Sequence, residues 1–241
     1  MSIVDVRRTY FRLAKLVCVL LLGGCTDSEK VVAPNRQTSA SKPAVQNKVE
    51  RRLRVTIFKP LAETANRQLY LRQVDVVIRS ANGILRQDVC DPTTESCSIE
   101  LSVSGSALPL SHPTGTLDKG SLKSLIAAAK TDVVFVTRIE PSLCKNDRLS
   151  SYRAIGCFVP AERWGEEGVM VVTTGVSKYD GGLILAHELG HRQGLYHSSA
   201  LRALMSCVYE TENKRILPEE WRVFLDKFAR PPPGILCPGG S

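Results

Sequence analysis

Residues 186–197 read AHELGHRQGLYH and contain the pattern His-Glu-x-x-His-x-x-Gly-x-x-His. On a helix, residues four apart share a face, so His187 and His191 present two imidazoles to one metal ion. Gly194 can adopt a positive φ that ends the helix and turns the chain, which returns His197 as a third nitrogen ligand. Three protein ligands leave one coordination position open, and this is typical of a catalytic zinc ion rather than a structural one.

Glu188 follows the first ligand directly, where its carboxylate reaches a water molecule on the metal rather than the metal itself. This is the position of a general base. Three of the four histidines of the chain fall within the pattern, so the probability of a chance match is below about one in 10⁵. The fourth, His112, lies in a stretch rich in Ser, Pro and Gly and is predicted to be a loop residue.

The motif and the residues after it resemble the metzincin zinc metallopeptidases, and among them most closely the matrixins. Ser198 follows the third histidine, and Ala203-Leu204-Met205 stands at the distance of the matrixin Met-turn. The resemblance implies that Met205 forms an apolar floor under one catalytic Zn²⁺. It also implies a metalloendopeptidase that hydrolyses the bonds of a peptide or protein substrate through a zinc-bound water activated by Glu188.

The fold implied by the resemblance is α/β (α+β) and metzincin-like. It has a twisted, mostly parallel sheet with an antiparallel edge strand, an active-site helix, the Met-turn and a C-terminal helix. We expect this catalytic domain to cover residues 51–230, followed by a C-terminal tail, residues 231–241, tied by a disulfide. By the same analogy, the segment 157–160 is the candidate edge strand, which binds substrate by adding a peptide strand to its free edge.

The chain departs from the matrixin pattern at several points. Residues 26–54 contain no Pro-Arg-Cys-Gly-like segment, so inhibition by a propeptide cysteine is not expected. The histidines of a second zinc site are missing, and no calcium-loop repeat is evident. Ser206-Cys207 stands where a matrixin has Tyr-Pro, which alters the wall of the specificity pocket. Tyr209 is a candidate to stabilise the oxyanion or to form part of the pocket wall. The alternative is an ordinary packed tyrosine.

The N-terminus has the layout of an export signal. Residues 1–24 combine a basic start, an apolar run and two small residues. The sequence Leu22-Gly23-Gly24-Cys25 resembles the lipobox of bacterial lipoproteins, which implies a lipid anchor on Cys25; an ordinary cleaved signal is the alternative. Residues 25–50 are polar and predict a flexible tether. We therefore expect an exported lipoprotein held in a bacterial membrane, and Thr26 after the anchor favours the outer membrane, facing the periplasm or the cell surface.

The positive charge lies almost entirely in this N-terminal part. Residues 1–54 carry +7 of the formal net charge of +8, which leaves +1 for the rest of the chain. A nearly neutral body offers no broad surface for phosphates, so nucleic-acid binding is not expected. The composition, 43% hydrophobic and 23% charged, is that of an ordinary globular domain, and we expect a monomer.

The cysteine count agrees with export. Cys18 belongs to the signal and Cys25 to the anchor, which leaves an even number for disulfides in an oxidising compartment. Zinc ligation by thiols is the competing possibility, and no Cys-x-x-Cys spacing supports it. Six cysteines allow many pairings, but their order favours neighbours: Cys90 with Cys97, Cys144 with Cys157, and Cys207 with Cys237.

Hydrophobic patterns predict further elements around the motif. Alternation predicts a strand over Leu53–Phe58, and Leu61, Ala65 and Leu69 predict a helix. Residues 74–78 fit either a helix or a strand. We also expect strands at 98–103, 132–137 and 168–174 and a loop at 104–120. Helices are expected at 122–129 and 218–228. A further helix should begin near Leu183, with Asp180 as its cap.

Two other functions remain open at this point. One is a catalytically silent, zinc-binding lipoprotein on a metzincin scaffold. The other is hydrolysis of a non-protein amide, such as a cell-wall amide. An intact His-Glu-x-x-His argues against the silent protein, because the motif retains the general base as well as the ligands.

Overall fold

The computed structural model describes ten stretches of the chain: 46–60, 67–87, 96–105, 107–112, 115–144, 155–160, 168–174, 178–207, 210–226 and 229–235. The predicted signal, the anchor residue Cys25 and Tyr209 lie outside them, as do Cys90 and Cys237. Within these stretches, no helix is both long enough and apolar enough to cross a membrane.

The described residues form ten strands, four α-helices and a short 3₁₀ turn at Pro141–Cys144. They are β1 (Gln46–Leu53), β2 (Val55–Pro60), α1 (Arg67–Ile84), β3 (Arg86–Gln87), β4 (Ser96–Val103), β5 (Leu108–His112), β6 (Thr116–Leu117), α2 (Lys119–Ala129), β7 (Val133–Val136), β8 (Arg138–Ile139), β9 (Gly156–Val159), β10 (Val169–Thr173), α3 (Lys178–Arg192) and α4 (Pro218–Leu225).

A five-stranded sheet organises the domain, with the strand order β5-β2-β7-β10-β9. Its first four strands are mutually parallel, and β9 runs antiparallel to β10 at one edge. The predicted fold class, a mostly parallel sheet with an antiparallel edge strand, is confirmed. The edge strand lies at Gly156–Val159, which is the segment expected from the sequence.

Both faces of this sheet are covered, which explains the unbroken apolar runs of its central strands. Alternate residues of a strand point to opposite faces. Val133 and Phe135 join the core formed with α1, α3 and α4, whereas Val134 and Val136 join a second core beneath α2. A strand buried on both faces needs apolar residues at every position, so alternation disappears.

A second, three-stranded sheet has the order β1-β4-β3. Strand β1 begins at Gln46, so the prediction of a tether up to residue 50 was wrong over its last five residues. Its sequence is too charged to stand out as a strand. The charges pair instead: Lys48 forms ion pairs with Glu50 on its own strand and with Glu100 on β4.

The structure decides one open alternative, and two other boundaries differ from the sequence predictions. Residues 74–78 are helical, because Val74, Ile78 and the other buried positions of α1 follow helical spacing. The predicted loop 104–120 contains β5, β6 and the start of α2, and His112 is the last residue of β5 rather than a loop residue. Helix α3 begins at Lys178, so Asp180 lies inside the helix and is not its cap.

Candidate active site

Helix α3 carries the first part of the motif, and the turn after it carries the rest. The apolar positions Leu185, Ala186 and Leu189 are buried in the core and fix the rotation of the helix. Gly194 follows with φ +91, a conformation that costs a residue with a Cβ about 1–2 kcal/mol. The backbone N–H of Leu195 donates to Gly190 O at 2.9 Å and closes the helix.

The three histidines converge on one point. The Nε2 atom of His191 lies 3.1 Å from Nε2 of His187 and 3.2 Å from Nε2 of His197. Among the described residues, these three side chains form the cluster that could hold a metal ion, with their ligand atoms all within 4.8 Å of one another. The structure therefore brings together all three predicted ligands.

Backbone carbonyls orient two of the rings. His187 donates from Nδ1 to Leu204 O at 2.7 Å, and His191 donates from Nδ1 to Leu195 O at 2.8 Å. Because a carbonyl oxygen only accepts, the proton of each neutral ring is at Nδ1 and the Nε2 lone pair is free. The motif spacing gave no signal of these carbonyls, which the later loop and turn supply.

Burial keeps the three rings neutral. It lowers the pKa of His187 to about 3 and that of His197 to about 4, and the nearby His191 adds to both shifts. Burial also lowers the pKa of His191. Neutral imidazole is the form that binds a metal.

The donor set fits a tetrahedral zinc ion. Neutral Nε2 lone pairs held 3.1 and 3.2 Å apart repel one another unless a cation lies between them. Two nitrogens bound to one zinc at about 2.0–2.1 Å in tetrahedral geometry are about 3.3 Å apart. The spacing of the rings is thus close to that of zinc ligands.

Glu188 lies one residue from the first ligand and is 6% exposed. Burial raises its pKa to about 8, although a hydrogen bond from the backbone N–H of Phe158 on β9 opposes the rise. Its other oxygen, Oε2, is buried and has no hydrogen-bond partner among the described residues. A carboxylate with one oxygen fixed and one unpartnered is suited to exchanging a proton.

Met205 lies against the ligand helix. Its side chain is fully buried, and a Cβ at Gly190, between the two helical ligands, would overlap its sulfur. The Met205 loop is held by a hydrogen bond from Ser198 N to Met205 O at 2.7 Å and another from Leu204 N to Arg215 O at 2.6 Å. This position agrees with the apolar floor that the resemblance implies.

Sequence reasoning missed a buried ionic cluster at the end of α3. Asp132, whose side chain is 7% exposed, accepts from Arg54 Nε at 2.8 Å and from Arg192 Nη2 at 2.6 Å. Arg51 of β1 also reaches the residue that follows α3, since its Nη2 donates to Gln193 Oε1 at 2.9 Å. The available signal was the single charged residue, Asp132, at the head of an otherwise apolar strand.

One predicted disulfide lies beside the site. Cys144 and Cys157 are bonded and tie β9 to the short 3₁₀ turn Pro141–Cys144. Cys97 and Cys207 are disulfide-bonded as well. The partners predicted for them lie outside the described residues. Thiol ligation of zinc, the competing possibility, is therefore ruled out for the four described cysteines.

Part of the chain is similar to known proteins. Residues 148–221 match the family model Peptidase_M10, described as Matrixin. A solved metalloproteinase-II from Bacteroides fragilis is similar at 16% identity and a TM-score of 0.41, over 80% of this chain and 55% of that one. The chain thus spans about half the length of that protein. No curated protein matches the sequence.

The matched segment contains the edge strand, the ligand helix, the third ligand, Met205 and the start of α4. Its three histidines are those that the structure gathers at one point. Residues 148–221 are thus similar to the matrixin family model, and this segment contains the three histidines that could hold a metal ion.

Proposed function

We propose that the protein is a zinc-dependent metalloendopeptidase in which His187, His191 and His197 hold the ion and Glu188 is the general base. The observation that carries the proposal is the convergence of three neutral Nε2 atoms next to a buried carboxylate whose Oε2 lacks a partner. Metal binding alone does not require a carboxylate that can accept a proton, whereas hydrolysis by an activated water does.

Zinc, when bound, supplies a Lewis acid that polarises the scissile carbonyl and acidifies water. Glu188 accepts the proton of the attacking water at Oε2 and passes it to the leaving amine. The N–H of Phe158 keeps Oε1 in place during this transfer. Burial raises the pKa of Glu188 and a cation on the histidines opposes that rise, so the carboxylate is ionised and able to accept a proton when the metal is bound.

The edge strand β9 is the candidate site for the peptide backbone. It forms one border of the five-stranded sheet, and its Phe158 N–H contacts the general base directly. An extended peptide that adds to an exposed sheet edge gains main-chain hydrogen bonds of little sequence dependence. We therefore propose a peptide or protein substrate bound in extended form beside Glu188.

Glu188→Ala tests the general base. We expect it to retain one zinc per chain, because no ligand is lost, and to lower the rate of casein or peptide-library cleavage by about 10²–10⁴-fold. Zinc content and cleavage with and without a chelator are the measurements. Glu210→Ala, at an exposed position, is the control and should cleave normally. Unchanged cleavage by Glu188→Ala would remove its assignment.

The same assay separates the two alternative functions. A zinc-loaded protein that cleaves no peptide in the library is a silent zinc-binding protein if it also leaves purified peptidoglycan intact. Release of chelator-sensitive fragments from peptidoglycan alone would instead identify a cell-wall amide as the substrate.

We further propose that residues 1–24 direct export and that Cys25 carries the lipid anchor, as the lipobox-like sequence indicates. The protein would then act as a monomer on a bacterial membrane, most simply the outer one. Mass spectrometry of the membrane-bound protein should find acyl chains on Cys25. A Cys25→Ser chain recovered in the same membrane fraction would contradict the proposal.

A further inference from the structure

The three metal ligands are not held in the same way. His187 and His191 each donate a ring N–H to a backbone carbonyl. His197 makes no such ring hydrogen bond in the part of the chain that the structure describes; its ring contacts are with the other two imidazoles. Because no described carbonyl orients this ring, its position depends more on how firmly its backbone is fixed.

Two hydrogen bonds fix that backbone. At the residue that follows His197, Ser198 N donates to Met205 O at 2.7 Å. At His197 itself, the carbonyl oxygen accepts a hydrogen bond from Ile235 N at 3.0 Å. The donor comes from a segment 38 residues further along the chain, beyond α4.

Two features of the segment Pro231–Ile235, here called the C-terminal strap, favour its position beside His197. Gly234 packs on Tyr196, the residue before the third ligand, so closely that a Cβ at 234 would overlap the Tyr196 side chain. Pro231, Pro232 and Pro233 precede it, and each proline ring restricts its own φ. A restricted chain loses less conformational entropy when it is held in position.

We infer that the C-terminal strap is a positioning element for the third metal ligand, with Ile235 N–H holding His197 at its carbonyl and Gly234 fitting against Tyr196. The inference rests on the proposed function in that His197 must ligate the ion. Partners that orient a metal ligand without touching the metal typically contribute about 10–100-fold in metal affinity. The strap has this role for His197, the ligand whose ring has no carbonyl partner among the described residues.

Ile235→Pro tests the inference because it removes the donor N–H, whereas Ile235→Ala shortens the side chain and keeps that N–H. Zinc affinity of the full-length chains is measured by competition with a chromophoric chelator. The visible spectrum of the Co²⁺-loaded proteins reports the ligand geometry. We expect zinc affinity to fall by about tenfold or more in Ile235→Pro, with a changed Co²⁺ spectrum, while Ile235→Ala binds as the unaltered protein does.

The outcomes separate the inference from the function on which it rests. If the unaltered chain binds no zinc, the proposed function fails. If it binds zinc and Ile235→Pro binds equally well, or if Ile235→Ala is weakened as much, the strap does not act through this N–H and the inference fails. Thermal unfolding of the metal-free proteins shows whether the fold is kept. Should Ile235→Pro not fold, Gly234→Ala decides, because its Cβ displaces the strap from Tyr196; normal zinc affinity there would overturn the inference.

Discussion

Burial acts in opposite directions on the two kinds of side chain at the site. It raises the pKa of Glu188 and lowers those of His187 and His197, so all of them favour the uncharged form without a metal. A divalent cation among the rings reverses this preference at the carboxyl, because an adjacent positive charge favours the ionised form. We therefore expect metal binding to prepare Glu188 as a base.

Gly194→Ala tests the turn that returns the third ligand. We expect the metal-free protein to lose about 1–2 kcal/mol of unfolding free energy, because alanine is strained at φ +91. Zinc affinity should fall too, since relief of that strain moves His197. Chemical denaturation and chelator competition are the measurements. Gly83→Ala is the control: this glycine ends a helix with no atom near its Cβ position, so no loss is expected. Equal effects at both positions would contradict the prediction.

Among the secondary-structure elements, β9 is held from several directions at once. It pairs with β10 over four residues, its Cys157 is bonded to Cys144, and its Phe158 N–H reaches Glu188. An edge strand with one free side is otherwise among the easier parts of a sheet to lose. The disulfide thus supports the strand on which both substrate and base depend.

Replacing both Cys144 and Cys157 with serine should lower the unfolding free energy by about 2–3 kcal/mol, as expected for a loop of this length. If β9 binds substrate, KM for peptides should rise more than kcat falls. Denaturation and steady-state kinetics, each compared with the unaltered chain, are the measurements. A change in kcat alone would show that β9 does not bind the peptide.

Helix α4 begins with a buried acid. Glu220 accepts from Leu217 N at 2.8 Å. Burial raises its pKa to about 7, with Glu219 adding to the rise and the Leu217 hydrogen bond opposing it. Because the folded-state pKa exceeds the unfolded one, the folded state binds more protons between about pH 4.5 and 7, and stability falls as pH rises through this range.

Glu220→Gln should remove that pH dependence while keeping an acceptor for Leu217 N. We expect the variant to match the unaltered protein below about pH 4.5 and to be the more stable of the two at pH 8. Urea denaturation in the presence of a chelator measures both. Glu219→Gln, at the exposed neighbouring position, is the control and should show a smaller gain. A gain for Glu220→Gln that does not vary with pH would refute the assignment.

Across the domain, Asp132 is the point where the sheet and the ligand helix meet. It directly precedes β7, and its backbone N–H donates to Arg54 O beside β2. Its carboxylate accepts from Arg54 and from Arg192 on α3. Burial opposes ionisation of Asp132, but the two arginines lower its pKa to about 2.

Asp132→Asn should lower the unfolding free energy by on the order of 2 kcal/mol. This is less than the loss expected for a fully buried ion pair, because the Arg54 side chain is half-exposed. The folded-state pKa lies below the unfolded one, so this stabilisation is present above about pH 4 and is lost as pH falls toward 2. Denaturation at pH 7 and pH 3 measures the difference between the variant and the unaltered chain, which should shrink at pH 3. Asp75→Asn, at an exposed position, is the control.

The sequence predicted what is local and missed what distant segments supply. The ligand spacing and Gly194 lie within one short stretch, so helical spacing and turn chemistry were sufficient, whereas the edge strand was predicted from the resemblance to metzincins. Leu204 O, the Phe158 N–H and Ile235 N–H are backbone groups, and no residue type marks them. Strand β1 was missed because its charged side chains pair across to β4, and Asp132 because its partners come from two other elements.

Strand β1 lies parallel to β4 over eight residue pairs, and Arg51 near its end donates to Gln193 just after the ligand helix and to Phe224 O of α4. Tension applied to the chain ahead of Gln46 would load that ladder in shear, with all eight pairs resisting together. The guanidinium would carry the remaining load to the residues that follow His191. Mechanical pulling from the N-terminus would therefore reach the end of the ligand helix through Arg51.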